Sequence, residues 1–199
     1  MWLSDPFPHA VFDGLFDVGL LDRVIEEFPA TDDPRWQRFS NGNEQKLAGT
    51  PAMLSSAAVE YFEQLAGMSD WLSDLTGIPE LSMELIGGGY HLIPPGGRLA
   101  MHTDFNKSPK TGLFRRLNVL TYLNYGWTDE GGCLYLGANR EVTVVPEYGR
   151  TAIFETSDVS WHGHPLPAER NRYSVAAYFF SPEQPAGYRA DHSTVWLGE

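Results

Sequence analysis

The sequence predicts a mainly β fold with helices packed outside it, and three observations carry that prediction. Helical periodicity is confined to residues 1–80. From Leu81 onward, β-branched and aromatic residues come in short runs. Turn clusters separate those runs, at Gly87-Gly88-Gly89, Pro94-Pro95-Gly96-Gly97, Glu130-Gly131-Gly132 and Glu147-Tyr148-Gly149, with no long helix between them. Short strands in series without intervening helices fit an antiparallel sandwich or jelly roll better than a parallel α/β sheet.

Taken in order, Leu20, Leu21, Val24, Ile25 and Phe28 form one apolar helical stripe that Pro29 ends. Thr31 to Gly49 is polar and reads as irregular. Met53, Leu54, Ala58, Tyr61, Phe62 and Leu65 predict a second helix closed by Gly67, and Ser69 or Asp70 caps a short third helix through Thr76. Tyr90–Ile93, Leu117–Asn124 and Arg172–Tyr178 are strand-like. The triple glycine is followed by a strand, and no Gly-Lys-Ser/Thr is present, so it reads as a bend or bulge and not as a phosphate loop. No repeat or linker interrupts the chain. Residues 1–199 therefore read as a single domain: helical support over 1–80, a β core over 81–182 and a C-terminal extension over 183–199.

Composition bounds the function. With 42% apolar and 20% charged residues among 199, the chain has the make-up of an ordinary globular domain. Lys and Arg number 14 against 26 Asp and Glu, a net charge of −12 that repels phosphate backbones and anionic lipid and argues against nucleic acid or membrane partners. Cys133 is the only cysteine, which leaves no internal disulfide and no cysteine-based zinc site. Met1 to Pro8 has neither a basic start nor a long apolar stretch, and no run approaches the roughly 18 apolar residues of a membrane span, so a cytoplasmic location is expected.

The chemistry concentrates in two short segments of the β region, Met101-His102-Thr103-Asp104 and Trp161-His162-Gly163-His164. In an extended strand, His102 and Asp104 share a face about 6.6 Å apart, near enough to grip one metal ion. One imidazole from a distant strand, His162 or His164, completes a two-His, one-carboxylate set that leaves about three octahedral positions open. His-x-Asp is weak evidence by itself. Arg172, in an otherwise apolar strand, wants an acidic partner and suits bidentate recognition of a carboxylate, and Tyr122 can bind a carboxylate too.

Together these segments resemble the Fe(II)/2-oxoglutarate-dependent oxygenases, on their prolyl-hydroxylase-like branch. The resemblance rests on Gly96 to Asn106, Arg115 to Asn124, Gly131 to Leu134, and His162-Gly163-His164-Pro165 through Arg172-Tyr173-Ser174, in that order, and spans roughly residues 84–182. It implies a double-stranded β-helix (jelly-roll) core with the N-terminal helices packed outside. It also implies Fe(II) held by His102, Asp104 and His162, with 2-oxoglutarate and O2 as cosubstrates. Arg172 and Tyr122 would meet the distal carboxylate of 2-oxoglutarate, Ser174 would assist from the same strand face, and Leu120 would line the pocket. His162 is preferred to His164 as ligand because in that family the arginine follows the distal histidine by about ten residues; His164 becomes a supporting donor. The implied reaction is hydroxylation of an unactivated C–H bond with release of succinate and CO2. Asp104 argues against halogenation, since halogenating relatives lack the carboxylate.

For the primary substrate, Lys107, Lys110, Arg115 and Arg116 cluster just after Asp104. Arg116, Asn118, Leu120 and Tyr122 are spaced by two, so Arg116 and Asn118 are expected to face the cosubstrate cavity, with Arg116 and also Arg98 meeting an anionic group on a small-molecule, amino-acid or peptidyl substrate. Trp127, Trp161, Tyr90 and His91 read as core. The competing readings are a cupin-like metal-dependent isomerase or hydrolase, against which Arg172 and Tyr122 argue, and a non-catalytic jelly-roll binding module, against which the intact ligand set argues.

Overall fold

In the computed structural model, residues 1–185, 188 and 193–198 are described, so part of the expected C-terminal extension lies outside the described residues. Twelve strands among them build two antiparallel sheets. They are β1 (His9–Asp13), β2 (Gln37–Ser40), β3 (Gln45–Ala48), β4 (Ser82–Ile93), β5 (Leu99–Thr103), β6 (Phe114–Tyr122), β7 (Leu134–Leu136), β8 (Val142–Val144), β9 (Arg150–Glu155), β10 (His162–His164), β11 (Arg172–Ser181) and β12 (Val195–Trp196). The larger sheet runs β1-β9-β6-β11-β4-β3-β2 and the smaller β12-β5-β10-β7-β8. Leu134, Leu136 and Val144 of the smaller sheet pack against Tyr122, Ala152 and Phe154 of the larger one, so the two face each other as a jelly roll.

Three helices cover the other face of the larger sheet: α1 (Val18–Glu26), α2 (Ser56–Ala66) and α3 (Ser69–Thr76). The Asp17 carboxylate caps α1 by accepting from the Leu20 amide, and the Ser55 hydroxyl caps α2 by accepting from that of Ala58. Their apolar stripes, Leu20, Leu21 and Val24 with Tyr61, Phe62 and Leu65, lie on Leu117, Val119, Val175, Ala177 and Phe179. Each such buried side chain contributes roughly 1.5–3 kcal/mol relative to exposure.

Several local expectations are corrected. Neither Ser69 nor Asp70 caps α3; Met68 holds that position without a side-chain bond, and Asp70 lies in the first turn, where its charge favours the helix dipole. Thr31–Gly49 is not irregular, because β2 and β3 pair there as a hairpin on the sheet edge. Every residue of β2 is exposed, so no apolar alternation marked it. β1 precedes α1 and was likewise not foreseen. The triple glycine is a bulge: opposite Ala176 and Tyr178, the β4 register jumps from Gly89 to Glu84, and Gly87 and Gly89 have φ of 74° and 103°. Among the described residues no helix is long and apolar enough to cross a membrane.

Candidate metal centre and cosubstrate pocket

β5 and β10 are antiparallel neighbours, and their pairing places His102 directly opposite His162 with ring centroids 4.4 Å apart. Asp104 follows the end of β5, with Oδ1 3.7 Å from His102 Nε2 and Oδ2 3.3 Å from His162 Nε2. Three candidate ligand atoms, one from each residue, all lie within 4.8 Å of one another. The opposite ring nitrogens fix the tautomers: His102 Nδ1 is 2.9 Å from the Ala100 carbonyl and His162 Nδ1 2.8 Å from that of Ser160. A carbonyl only accepts, so each Nδ1 donates and each Nε2 keeps its lone pair for the centre. Burial, aided by the neighbouring His162, lowers the His102 pKa and favours the neutral, ligating form. His164, although buried on the same strand, is outside this group and faces Leu99 of β5, three residues before His102.

Asp104 is itself held. Its Oδ2 accepts from Arg115 Nη2 at 2.9 Å and Asn118 Nδ2 at 2.7 Å, while Asn118 Oδ1 accepts from Arg115 Nε and Nη2 at 2.9 and 2.7 Å. The Arg115 guanidinium is sandwiched against the rings of Tyr178 and Phe105, 3.5 and 4.8 Å from their centroids. Burial alone would raise the Asp104 carboxyl; Arg115, with His162 and His102, overrides it and holds the group well below the usual carboxylate range. The basic cluster after Asp104 names this arginine, but its role in holding Asp104 is not legible in the sequence.

The cause is a one-residue bulge. Phe179 of β11 faces Leu117 of β6, but the next residue, Phe180, faces Arg115, leaving Arg116 as the extra residue. Upstream of the bulge the period-two phase inverts, so Arg115 joins Asn118 and Leu120 on the cavity wall, and Arg116 turns away to donate to the Glu183 carbonyl at 3.1 Å. Arg98 donates to the Gly42 carbonyl at 3.0 Å and lines neither cavity beside the triad. The expectation that Arg116 and Arg98 line the site is thereby corrected. Asn118 does line it, with its amide engaged by Asp104 and Arg115.

On the inner face of the larger sheet, Arg172 and Ser174 of β11 lie next to Tyr122 of β6, which pairs with Ser174. The Arg172 guanidinium is 4.8 Å from the Tyr122 ring centroid. Leu120 and His164 line the same cavity, which reaches His102, Asp104 and His162. Tyr122 Oη, Arg172 Nε and His164 Nδ1 are buried without hydrogen-bond partners among the described residues. Buried donors in that state are costly unless an acceptor arrives, and a buried guanidinium especially calls for an anion. Burial lowers the Arg172 pKa. The donor set thus suits a ligand with a carboxylate at one end and metal-chelating oxygens at the other, and two imidazoles with one carboxylate suit a first-row divalent ion such as Fe(II).

A second cavity, of roughly 280 Å3, adjoins the first and shares Lys46, His91, His102 and Asp104 with it. Glu44 and Lys46 from the β2–β3 hairpin, His91 from β4 and Trp196 from β12 help to line it, and the Trp196 ring lies 5.2 Å from that of His102. His91, read from sequence as core, lines both cavities. Burial and the Lys46 charge depress its pKa to about 4. Lys46 and Trp196 left no signal in the sequence, because one lies in the polar stretch 31–49 and the other in the short C-terminal extension.

Residues 88–180 match the model of the 2OG-Fe(II) oxygenase superfamily, a span that contains His102, Asp104, Arg115, Tyr122, His162 and Arg172. No curated sequence relative matches. Among solved structures, the chain is similar to a prolyl-4-hydroxylase of Pseudomonas putida at 20% identity and TM-score 0.68, covering 86% of this chain and 91% of that one. It is similar to a prolyl hydroxylase of Trichoplax adhaerens, in complex with a hypoxia inducible factor oxygen degradation domain peptide fragment, at 17% identity and TM-score 0.64, covering 86% and 83%. It also resembles the non-heme alpha-ketoglutarate-dependent epimerase SnoN from nogalamycin biosynthesis at 14% identity and TM-score 0.60, covering 90% and 82%. These likenesses are of fold. With His102, Asp104 and His162 all inside the matched span, residues 88–180 carry a 2OG-Fe(II) oxygenase domain, that of a 2-oxoglutarate-dependent dioxygenase using Fe(II), 2-oxoglutarate and O2, in a chain prolyl-hydroxylase-like in its fold.

Proposed function

We propose that this dioxygenase hydroxylates an unactivated C–H bond of a small molecule, amino acid or short peptidyl substrate, with His102, Asp104 and His162 as the iron ligands and Arg172, Tyr122, Ser174 and Leu120 forming the 2-oxoglutarate pocket. The observation that carries this reading is the continuity of the triad with a cavity lined by Arg172, whose Nε, like the Oη of the adjacent Tyr122, is buried without a hydrogen-bond partner among the described residues. When bound, the iron together with 2-oxoglutarate and O2 supplies the oxidising power for C–H cleavage, and the cosubstrate leaves as succinate and CO2. The protein's part is positioning and exclusion of water. Arg172 and Tyr122 grip a distal carboxylate in a site shielded from solvent, where charge-assisted bonds are strongest. Arg115 and Asn118 hold Oδ2 of Asp104, which keeps that carboxylate in the centre and argues against a halide taking its place. The adjoining cavity, which Glu44 and Trp196 help to line, admits the primary substrate. We read the chain as one cytoplasmic oxygenase domain, and its net charge of −12 as disfavouring nucleic acid.

The test is anaerobic titration of metal-free protein with Fe(II) and then 2-oxoglutarate, following the visible charge-transfer band of the chelate. The band is expected in the wild type, absent in His162→Ala, and dependent on much more 2-oxoglutarate in Arg172→Ala. A folded, iron-loaded wild type without the band sinks the assignment.

A further inference from the structure

Among the described residues, the lysines and arginines lining the two cavities are Lys46, Arg115 and Arg172. Arg115 is engaged by Asp104 and Asn118, and Arg172 lies in the cosubstrate pocket. Lys46, which lines both cavities, is therefore the cation available to a primary substrate, and it comes with an anion that lines only the second: its Nζ is 2.9 Å from Glu44 Oε2, and both side chains are largely shielded, 20% and 13% exposed. Glu44 takes one of the three ammonium donors. The cost of desolvating a shielded pair offsets its Coulomb attraction, so stability gives little reason for it to stand at a cavity wall.

Its position is fixed relative to the triad. The Gln45 amide donates to the Arg98 carbonyl at 2.8 Å and the Ala100 amide to the Asn43 carbonyl at 2.7 Å, so the hairpin is stitched to β5, the strand that carries His102. Lys46 faces Phe39 across the hairpin, with Nζ 5.1 Å from the ring centroid. A substrate without charge entering here would strip water from both charges and return at most hydrogen bonds, with no opposite charge for either. A molecule carrying one charge of each sign would give each member an opposite partner, and a cavity of roughly 280 Å3 is close to the lower bound of the roughly 300–1,000 Å3 usual for small-ligand sites.

We propose that Glu44 and Lys46 recognise the ammonium and carboxylate of a free amino acid, which makes the primary substrate a zwitterion whose side chain extends to the triad. The proposal rests on the oxygenase reading above. The experiment uses the anaerobic Fe(II)·2-oxoglutarate protein and measures binding by calorimetry. The probes are the proteinogenic L-amino acids singly, then the N-acetyl and carboxamide derivatives of each binder and the same residue within a capped tripeptide. At least one free amino acid is expected to bind, with each single derivatisation weakening it about tenfold or more and the capped peptide weaker still. In Glu44→Gln the penalty for N-acetylation should disappear while that for the carboxamide remains, and in Lys46→Gln the reverse.

Binding of free and capped forms alike overturns the proposal on the wild type alone, whatever the variants do. So does a protein that forms the chelate band but binds no free amino acid, an outcome that leaves the oxygenase reading standing, whereas absence of the band strikes that reading instead. A Lys46→Gln variant that raises the 2-oxoglutarate requirement without changing amino-acid discrimination reassigns Lys46 to the cosubstrate and also overturns the proposal.

Discussion

The two faces of the seven-stranded sheet are made by alternate residues of the same strands, yet they differ in nearly every physical respect. Along β11, Val175, Ala177 and Phe179 point outward into the helices, while Arg172, Ser174 and Tyr178 point inward to the cavities. The outer face is mostly apolar, and its buried hydroxyls, those of Tyr61, Thr121 and Thr151, bond one another, so it completes its own packing. The inner face holds two buried arginines, one satisfied by Asp104 and one awaiting an acceptor. A period of two thus lets one strand serve stability with one set of side chains and ligand binding with the other. Substitutions on the outer face should cost folding free energy, and those on the inner face should cost ligand affinity.

The largest effect expected is on the outer face. Phe179→Ala empties a fully buried site beneath the helices and should cost about 3–5 kcal/mol in denaturant unfolding. The protein that stays folded should bind 2-oxoglutarate as the wild type does. A matching loss of cosubstrate affinity would show that the two faces are not independent.

Arg172→Ala tests the inner face. Removing a charge-assisted contact of about 1.5–3 kcal/mol should raise the 2-oxoglutarate requirement roughly tenfold to a hundredfold. The unliganded protein should lose little stability and could gain some, because a buried cation without a carboxylate is removed. Denaturant unfolding with and without cosubstrate separates the two effects. A large loss in the unliganded protein would mean that Arg172 is structural.

Arg115→Met sharpens the contrast within the inner face. Methionine keeps the bulk between Tyr178 and Phe105 but releases Asp104, so affinity for Fe(II), or for Mn(II) read by electron paramagnetic resonance, should fall about 10–100-fold. Arg116→Met, one residue along, should leave metal affinity within a factor of about two, since its guanidinium bonds the Glu183 carbonyl instead.

That pair also shows what was legible in the sequence. His102, Asp104, His162 and Arg172 stand in short, ordered motifs whose spacing survives folding, and the structure gathers them at one place. The jelly roll was legible because turn clusters cut the β region into short runs. The role of Arg115 was not, because one bulge inverts a strand's phase, and a bulge is set by pairing with β11 that no local pattern reveals. Lys46 and Glu44 were hidden for another reason. Their hairpin lies at a sheet edge with β2 wholly exposed, so it carries no apolar alternation to be read. Trp196 reaches His102 only through the pairing of β12 with β5, a contact between distant parts of the chain.

The smallest effect expected joins the two cavities. His91 Nε2 lies 2.9 Å from the Gly87 carbonyl, which only accepts, so Nε2 donates and Nδ1 carries the lone pair of the neutral ring. Burial first, then the Lys46 ammonium, lowers its pKa to about 4 from the usual 6.5. A histidine with a depressed folded-state pKa is protonated more readily in the unfolded chain, so its contribution to stability is complete above pH 6.5 and declines as pH falls toward 4. Lys46→Gln removes the second cause but not the first, so an NMR titration of the His91 ring should show its pKa rising only part of the way back. A full return to the ordinary value would mean that the lysine charge, and not burial, governs this wall. An unchanged pKa would mean that the ammonium lies too far from His91 to bridge the cosubstrate and substrate sides of the centre.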